Sequence, residues 1–152
     1  NKYNNIKKKH FFIINFLILI LLEGCGYEPI YSSKNFLFKI GKIDYENNQI
    51  NNQVVRSLKS LSNQNARNTL DLKLSSTEEK RIVSKNKSGD AEIFELKILV
   101  EVIINDQQKS FSGFQNYNNN ENKFDLNQYE IEIEKQIING IIDDILIYLA
   151  KF

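Results

Sequence analysis

Apolar and polar residues alternate in four stretches of the chain, and this alternation is typical of half-buried β-strands. The first stretch begins with Phe36, Phe38 and Ile40. The longest has an apolar residue at every even position from Phe94 to Ile104. The predicted strands cover residues 36–44, 69–76, 91–104 and 109–117.

The second strand has Leu70, Leu72 and Leu74 on one face. Three hydroxyl residues follow at Ser75–Thr77, where we expect the strand to bend. Apolar residues return at positions 82–83, so the strand is expected to resume there.

Short turns separate the last three strands. Residues 86–89 read Asn-Lys-Ser-Gly, which is a strong turn signal, and residues 105–108 form the next connection. Because the connections are short, the three strands should form an antiparallel meander.

Two segments have apolar residues at helical spacing. The first covers residues 51–63, with Val54, Val55 and Leu58 on one face and Asn51 as the expected N-cap. It predicts a short amphipathic helix that follows the first strand.

The second predicted helix covers residues 127–151. Asn127 and Glu130 have the spacing of a capping box, and Leu126 is placed to contact Ile131 as a hydrophobic staple. Gly140 weakens the helix at a point where it would permit close packing. An unusually broad apolar face is expected from Ile133, Ile137, Ile138, Ile141, Ile142, Ile145, Leu146 and Leu149.

These elements predict an α+β fold. The expected architecture is a four-stranded, mostly antiparallel sheet with two helices packed on one face, in the order β-α-β-β-β-α. The length of 152 residues allows one such domain, which we place at residues 36–152.

The N-terminal segment has the composition of an export signal. Three lysines at positions 7–9 precede an apolar run at residues 11–22 that only Asn15 interrupts. A spanning helix needs about 20 apolar residues, so a run of this length fits the apolar region of a secretory signal. We therefore expect residues 1–24 to be a signal peptide.

The signal ends at Leu22-Glu23-Gly24-Cys25, which resembles a bacterial lipobox. The resemblance implies cleavage between Gly24 and Cys25 and lipidation of Cys25. Glu23 departs from the small or apolar residue that is usual there. An ordinary signal peptide with an incidental cysteine, or a short uncleaved anchor, are the alternatives. Residues 25–35, which contain the only proline, would form an extended lipid-anchored linker.

Composition then excludes several chemistries. The chain has one Cys and one His, Cys25 and His10, and both lie within the first 25 residues. If residues 1–24 are removed, the mature chain has no histidine base, no Cys–His pair and no Cys/His metal cluster. We predict no catalytic residues, no metal and no cofactor. Residues 1–24 contain four Lys and one Glu, so the rest has a net charge of −2, which argues against a nucleic-acid partner.

The segment that opens the mature chain carries a family resemblance. Residues 25–31 read Cys-Gly-Tyr-Glu-Pro-Ile-Tyr. This resembles the Cys-Gly-aromatic-x-Pro-Leu-Tyr opening of LPS-assembly outer-membrane lipoproteins, the LptE family, and in particular its alphaproteobacterial branch. The stretch from Tyr117 to Tyr129 is similar to the segment before the family's last helix, with Asn116 in place of its Ser and Glu130 in place of its Ala.

The resemblance implies a structural role and no enzymatic activity. Such lipoproteins plug the LPS-translocon β-barrel of the outer membrane, assist its assembly and help to insert lipopolysaccharide. The implied partners are that barrel, lipopolysaccharide, and the inner leaflet of the outer membrane through the acyl chains on Cys25. Gly26 agrees with this location, since Asp there is the usual inner-membrane retention signal. The alternative is a periplasm-facing lipoprotein that binds a lipid or small ligand in an apolar pocket between sheet and helices.

Four cations near the turn at residues 86–89 are candidate contacts for lipopolysaccharide phosphates. They are Lys80, Arg81, Lys85 and Lys87. Arg81 is the first choice, because a guanidinium binds phosphate in a bidentate manner. In the alternative, the hairpin is solvated and its cations pair with the acids at positions 78, 79, 92 and 95.

Three further groups have candidate roles. Phe114 and Tyr117 either face the barrel or belong to the core or sheet edge. Asp143 and Asp144 resemble a metal site, but adjacent helical residues diverge by about 100°, so a solvated face is the expected role. Glu130, with the acids at positions 132 and 134, is expected to favour the start of its helix through the macrodipole.

Overall fold

The structure, a computed structural model, describes residues 36–152 and contains the six expected elements in the expected order. The strands are β1 (Phe38–Tyr45), β2 (Asn68–Lys85), β3 (Ala91–Ile104) and β4 (Gln107–Asn118), and the helices are α1 (Gln49–Leu61) and α2 (Lys123–Leu149).

The four strands form one sheet in the order β1-β2-β3-β4. β2, β3 and β4 make the predicted antiparallel meander. β1 pairs with β2 in parallel, because α1 forms the crossover that returns the chain to the same end of the sheet. The α+β fold is therefore confirmed, with a mixed sheet.

The core lies between the sheet and the two helices. Even-numbered residues of β2 and β3 point toward the helices, and α2 buries the broad apolar face that the sequence predicts. The large side chains with almost no exposed surface include Phe38, Leu58, Ile98, Ile104, Ile133, Ile138, Ile145, Leu146 and Leu149. The broad face is needed because α2 packs against α1 as well as against β3 and β4.

The cap of α1 lies three residues before the predicted one. The side chain of Asn48 accepts a hydrogen bond from the backbone N–H of Asn51 at 2.8 Å. Asn51 itself is buried in the first turn and donates its side-chain amide to the carbonyl of Glu46 at 2.8 Å. The prediction of Asn51 as N-cap was wrong, because several neighbouring asparagines can each cap a helix.

α2 also begins earlier than predicted. Asn122 caps it by accepting hydrogen bonds from the backbone N–H groups at positions 124 and 125. Asn127 lies inside the helix, so the predicted capping box at Asn127 and Glu130 was wrong. The predicted staple was wrong too, since Leu126 is buried while Ile131 is 45% exposed.

β2 is one continuous strand of 18 residues, so the bend predicted at residues 75–77 was wrong. Its pairing with β3 is regular from Lys73 opposite Ile103 to Ile82 opposite Phe94. The ladder irregularity lies beyond Ile82, toward the hairpin tip. Main-chain pairing with β3 keeps the hydroxyl residues extended, and this non-local constraint outweighs their local turn preference.

Close packing of α2 on the sheet depends on a glycine in β4. A Cβ atom on Gly113 would lie 2.8 Å from Cγ2 of Ile137. A Cβ atom on Gly140 would meet nothing within 4 Å. The close approach predicted at Gly140 is therefore made at Gly113.

Candidate functional site

The β2–β3 hairpin holds the four predicted cations, but they do not converge on one surface. Lys80 and Arg81 are neighbours in β2, and successive strand residues point to opposite faces of a sheet. Lys80 lies on the side of the helices, whereas Arg81 lies on the outer face of the sheet.

Arg81 is held by its cross-strand partner. Its Nε atom donates a hydrogen bond to Oε1 of Glu95, directly opposite on β3, at 2.7 Å. The side chain of Glu95 is only 10% exposed, whereas that of Arg81 is 62% exposed. This hydrogen bond, followed by the charge of Glu95, raises the pKa of Arg81. The pairing is the one that the alternative interpretation of the hairpin expects.

Lys80 belongs to a cluster that joins the hairpin to α2. Its Nζ atom donates a hydrogen bond to Oε1 of Glu130 and lies 4.6 Å from the ring centroid of Phe94. The hydroxyl of Tyr117 donates to the same Glu130 oxygen at 2.8 Å. Tyr129 stacks edge-on against Tyr117. We call these five residues the α2 clamp.

The α2 clamp fixes the first turns of α2 onto three strands. Burial and the hydrogen bond to Glu130 raise the pKa of Tyr117, so its hydroxyl remains a donor at neutral pH. The sequence pattern indicates only a capping-box and a macrodipole role for Glu130 and gives no sign of the α2 clamp. Lys80 and Glu130 are 50 positions apart, and only the pairing of β2, β3 and β4 beneath α2 brings them together.

Lys85 directly precedes the turn at the hairpin tip, and Lys87 lies within that turn. Both are exposed, and neither forms an ion pair within the part of the chain that the structure describes. The side chain of Asn86 accepts hydrogen bonds from the backbone N–H groups of Ser88 and Asp90, both at 2.9 Å. The turn that presents the two lysines is therefore internally bonded.

The two aromatic residues of β4 point in opposite directions. Tyr117 is buried in the α2 clamp, in agreement with the core interpretation. Phe114 is 66% exposed on the outer face of the sheet. Residues 114 and 117 are an odd number of positions apart in one strand, so their side chains point to opposite faces of the sheet. Of the two, only Phe114 is available to a partner.

The acidic pair of α2 lies at the surface. Asp143 is half-buried and Asp144 is exposed. Within residues 36–152 no group of three or more His, Cys, Asp or Glu residues is arranged to hold a metal ion.

The interface between sheet and helices is filled by side chains, including Val54, Leu58, Val100 and Ile138, which are fully buried. A cleft of about 860 Å³ lies at the surface between α1 and α2. Its lining is largely polar and includes Gln53, Arg56, Glu134 and Asn139. This surface cleft does not have the character of the apolar pocket that a lipid carrier needs.

The predicted lipidation site Cys25, the cleavage position after Gly24, and the linker at residues 25–35 lie outside the described residues. Among the helices of residues 36–152, none is long and apolar enough to cross a membrane.

Comparison with solved structures identifies bacterial lipoproteins with this fold. The crystal structure of the rare lipoprotein B from Shewanella oneidensis matches with a TM-score of 0.58 and 17% identity, over 74% of this chain and 94% of that chain. The solution NMR structure of an uncharacterized lipoprotein B from Nitrosomonas europaea matches with a TM-score of 0.55 and 17% identity, over 80% and 88% of the two chains. No family model and no curated protein matches the sequence.

The mixed four-stranded sheet with two helices on one face is thus the fold of these small bacterial lipoproteins. At this level of identity, the similarity defines the architecture and leaves the function to be argued from the sequence and the surface.

Proposed function

We propose that this chain is an outer-membrane lipoprotein, anchored through Cys25 on the periplasmic side. In this proposal it plugs the LPS-translocon β-barrel, assists assembly of that barrel and helps to insert lipopolysaccharide. It has no catalytic activity of its own. The observation that supports the proposal best is the fold shared with rare lipoprotein B along 94% of that chain, together with the Leu-Glu-Gly-Cys sequence that ends the signal.

The physical character of the domain suits a plug. A protein inside a barrel lumen needs a rigid body whose surface matches a polar wall. Here the interior is filled, and the α2 clamp ties the N-terminal turns of α2 to the end of the sheet. Acyl chains on Cys25 would keep the domain beside the membrane and raise its effective concentration at the barrel.

Within this proposal, Lys85 and Lys87 are the foremost candidates for contact with lipopolysaccharide phosphates. They are exposed on an ordered turn and have no anionic partner among residues 36–152. Lys80 and Arg81 are each engaged by a carboxylate, so phosphate would have to displace an existing partner.

The test is affinity purification of the C-terminally tagged full chain from detergent-solubilised outer membranes, followed by mass spectrometry. We expect one large β-barrel protein in near-stoichiometric amount. A tagged Cys25→Ala variant, tested in parallel, should recover less of it. Recovery of the lipoprotein alone from the outer membrane would contradict the plug and favour the ligand carrier, and lipid extraction from the purified protein would then identify its cargo.

A further inference from the structure

Within residues 36–152, one edge of the sheet has a row of main-chain groups that no strand pairs. The backbone N–H of Asn119 donates to the carbonyl of Glu92 directly across from it at 2.8 Å. Hydrogen-bonded pairs alternate along an antiparallel ladder, so the odd-numbered residues of β4 bond to β3. The N–H and C=O groups of the even-numbered residues, including Ser112, Phe114 and Asn116, therefore point away from the sheet. No other strand of residues 36–152 pairs with them.

The strand at the opposite edge of the sheet, β1, is irregular, which distinguishes it from β4. The ladder between β1 and β2 has a register irregularity between Ile40 and Ile43, where the N–H of Lys42 is bonded to the side chain of Asp71 of β2 at 2.7 Å. Bulges and lysines are the usual devices that prevent strand addition. β4 pairs with β3 without any irregularity over its full length and has Lys109 as its only charged residue.

A groove runs beside this edge, between β4 and α2. It has a volume of about 500 Å³, and its walls include Ser112, Gly113 and Gln115 of β4 and Gln136 and Gly140 of α2. Gly140 leaves open space where another residue would place a side chain. We call this feature the edge groove. An extended strand bonded to β4 would direct every second side chain into it.

The chemistry of the edge groove defines the occupant. Asp143 and Asp144 lie on its wall, and no cation pairs with either of them in the described part of the chain. Burial and the neighbouring Asp144 raise the pKa of Asp143, as expected for two carboxylates without a counter-charge. Phe114 also borders the edge groove, and its exposed side chain lies on the outer face of the sheet, opposite Lys97 of β3. The edge groove is thus anionic, and the adjoining outer face offers one exposed apolar side chain, Phe114, between the polar residues Ser112 and Asn116.

We propose that β4 accepts an extended segment of a partner polypeptide by strand addition, with cationic side chains directed into the edge groove and apolar ones beside Phe114. The segment would alternate basic and aliphatic residues. Its main chain supplies affinity, and Asp143 and Asp144 select the basic positions. This inference does not depend on the identity of the barrel or on lipopolysaccharide.

The test uses the full chain in detergent and a fluorescein-labelled decapeptide of alternating Lys and Val. A control peptide of the same composition has its lysines and valines in two separate blocks. We expect saturable binding of the alternating peptide and about tenfold weaker binding of the block peptide. Amide exchange should slow at Ser112, Phe114 and Asn116, while the odd-numbered amides, already bonded to β3, should change little.

Three variants distinguish strand addition from general attraction. Ser112→Pro removes an N–H that points to the open edge without removing a bond to β3, so binding should fall about tenfold, while Ser112→Thr keeps it. Gly140→Leu fills the edge groove and should abolish binding. Gly140→Ala adds only a methyl group and should retain binding. Asp143→Asn with Asp144→Asn should weaken binding about fivefold, more than Glu121→Gln with Glu132→Gln outside the groove.

Any of three results overturns the proposal. The first is no saturable binding of the alternating peptide at about 1 mM. The second is binding that Ser112→Pro leaves unchanged while the variant is folded by circular dichroism. The third is slow exchange of the even-numbered amides without peptide in a chain that sediments as a dimer, which would assign the edge to a second copy.

Discussion

Gly113 and Gly140 both line the edge groove, yet they tolerate a side chain very differently. The Cβ of alanine at position 113 would lie 2.8 Å from the buried, β-branched Ile137, whereas at position 140 it would meet nothing. Gly113→Ala should therefore lower the free energy of unfolding by about 1–3 kcal/mol through overpacking. Gly140→Ala should raise it by about 0.5–1 kcal/mol, because glycine is a poor helix former.

Urea denaturation of both variants measures this difference. Each is the control for the other, since both replace one hydrogen by a methyl group in the same groove. Equal effects on stability would show that α2 does not approach β4 at Gly113.

The carboxyl group of Glu134 predicts a pH dependence. Burial, and then the charge of Glu78, raise its pKa above the ordinary value. The folded state thus holds this proton more tightly than the unfolded state does, and stability is lost as pH rises from about 4.3 through the raised pKa. Glu134→Gln retains the acceptor oxygen for Gln49 and should stabilise the fold by a few tenths of a kcal/mol at pH 7, since the group is partly solvated.

This gain should vanish below about pH 4, where the native carboxyl group is protonated in both states. Thermal unfolding of the variant and the parent chain across pH 3–8 measures it. Glu132→Gln, on the exposed side of α2, is the matched control and should show no such trend. A gain that persists undiminished at pH 3 would contradict the assignment.

At the scale of elements, the α2 clamp decides how firmly the start of α2 is attached to the sheet. Glu130→Ala removes the acceptor of both Lys80 and Tyr117 and leaves a buried hydroxyl without a partner. The free energy of unfolding should fall by about 1–3 kcal/mol. Hydrogen exchange should rise most in the first three turns of α2, since the later turns are held by apolar packing.

Glu132→Ala, two positions away and exposed, provides the control for helix propensity. Uniform loss of protection along α2 would show that the clamp is not a local attachment.

The sequence pattern predicts which elements form better than it predicts where they begin and end. Apolar periodicity places the strands and helices because burial repeats every two or 3.6 residues. The helix starts were misplaced because asparagines are abundant before both helices, and any of them satisfies the local rule for a cap. Pairing with β3 is the reason that β2 continues through Ser75–Thr77. The residues at these positions do not indicate this pairing, because the partner strand lies far along the chain.

The same error obscured the candidate site. Once β2 is one strand, alternation alone places Lys80 and Arg81 on opposite faces. Because the predicted strand ended at residue 76, the alternation rule was not applied to Lys80 and Arg81, and the four cations appeared to form one cluster. The partner of Arg81 was among the expected acids, whereas Glu130, the partner of Lys80, depends on the packing of α2 and was beyond local pattern.

At the scale of the whole molecule, the hairpin tip presents two exposed lysines that form no ion pair within residues 36–152. Lys85→Glu with Lys87→Glu should weaken binding of lipopolysaccharide to the full chain by about tenfold, if the two lysines contact phosphates. Lys97→Glu with Lys109→Glu is the control, because it makes the same charge change away from the tip. Both variants are compared by the co-purification of lipopolysaccharide with the detergent-solubilised protein. Equal losses would assign the effect to net charge.

In the proposed function, attachment of the whole molecule to its membrane depends on one atom, the sulfur of Cys25. Cys25→Ala should abolish incorporation of an alkyne fatty-acid analogue and release the chain from the outer membrane, while Cys25→Ser tests whether size alone restores processing. Each buried CH₂ contributes about 0.8 kcal/mol, so the acyl chains of a lipoprotein suffice for stable anchoring and no spanning helix is required. Gly26→Asp separates attachment from sorting, since it should keep the label and move the chain to the inner membrane. A Cys25→Ala protein that still incorporates the label would contradict lipidation at Cys25 and exclude the lipoprotein assignment.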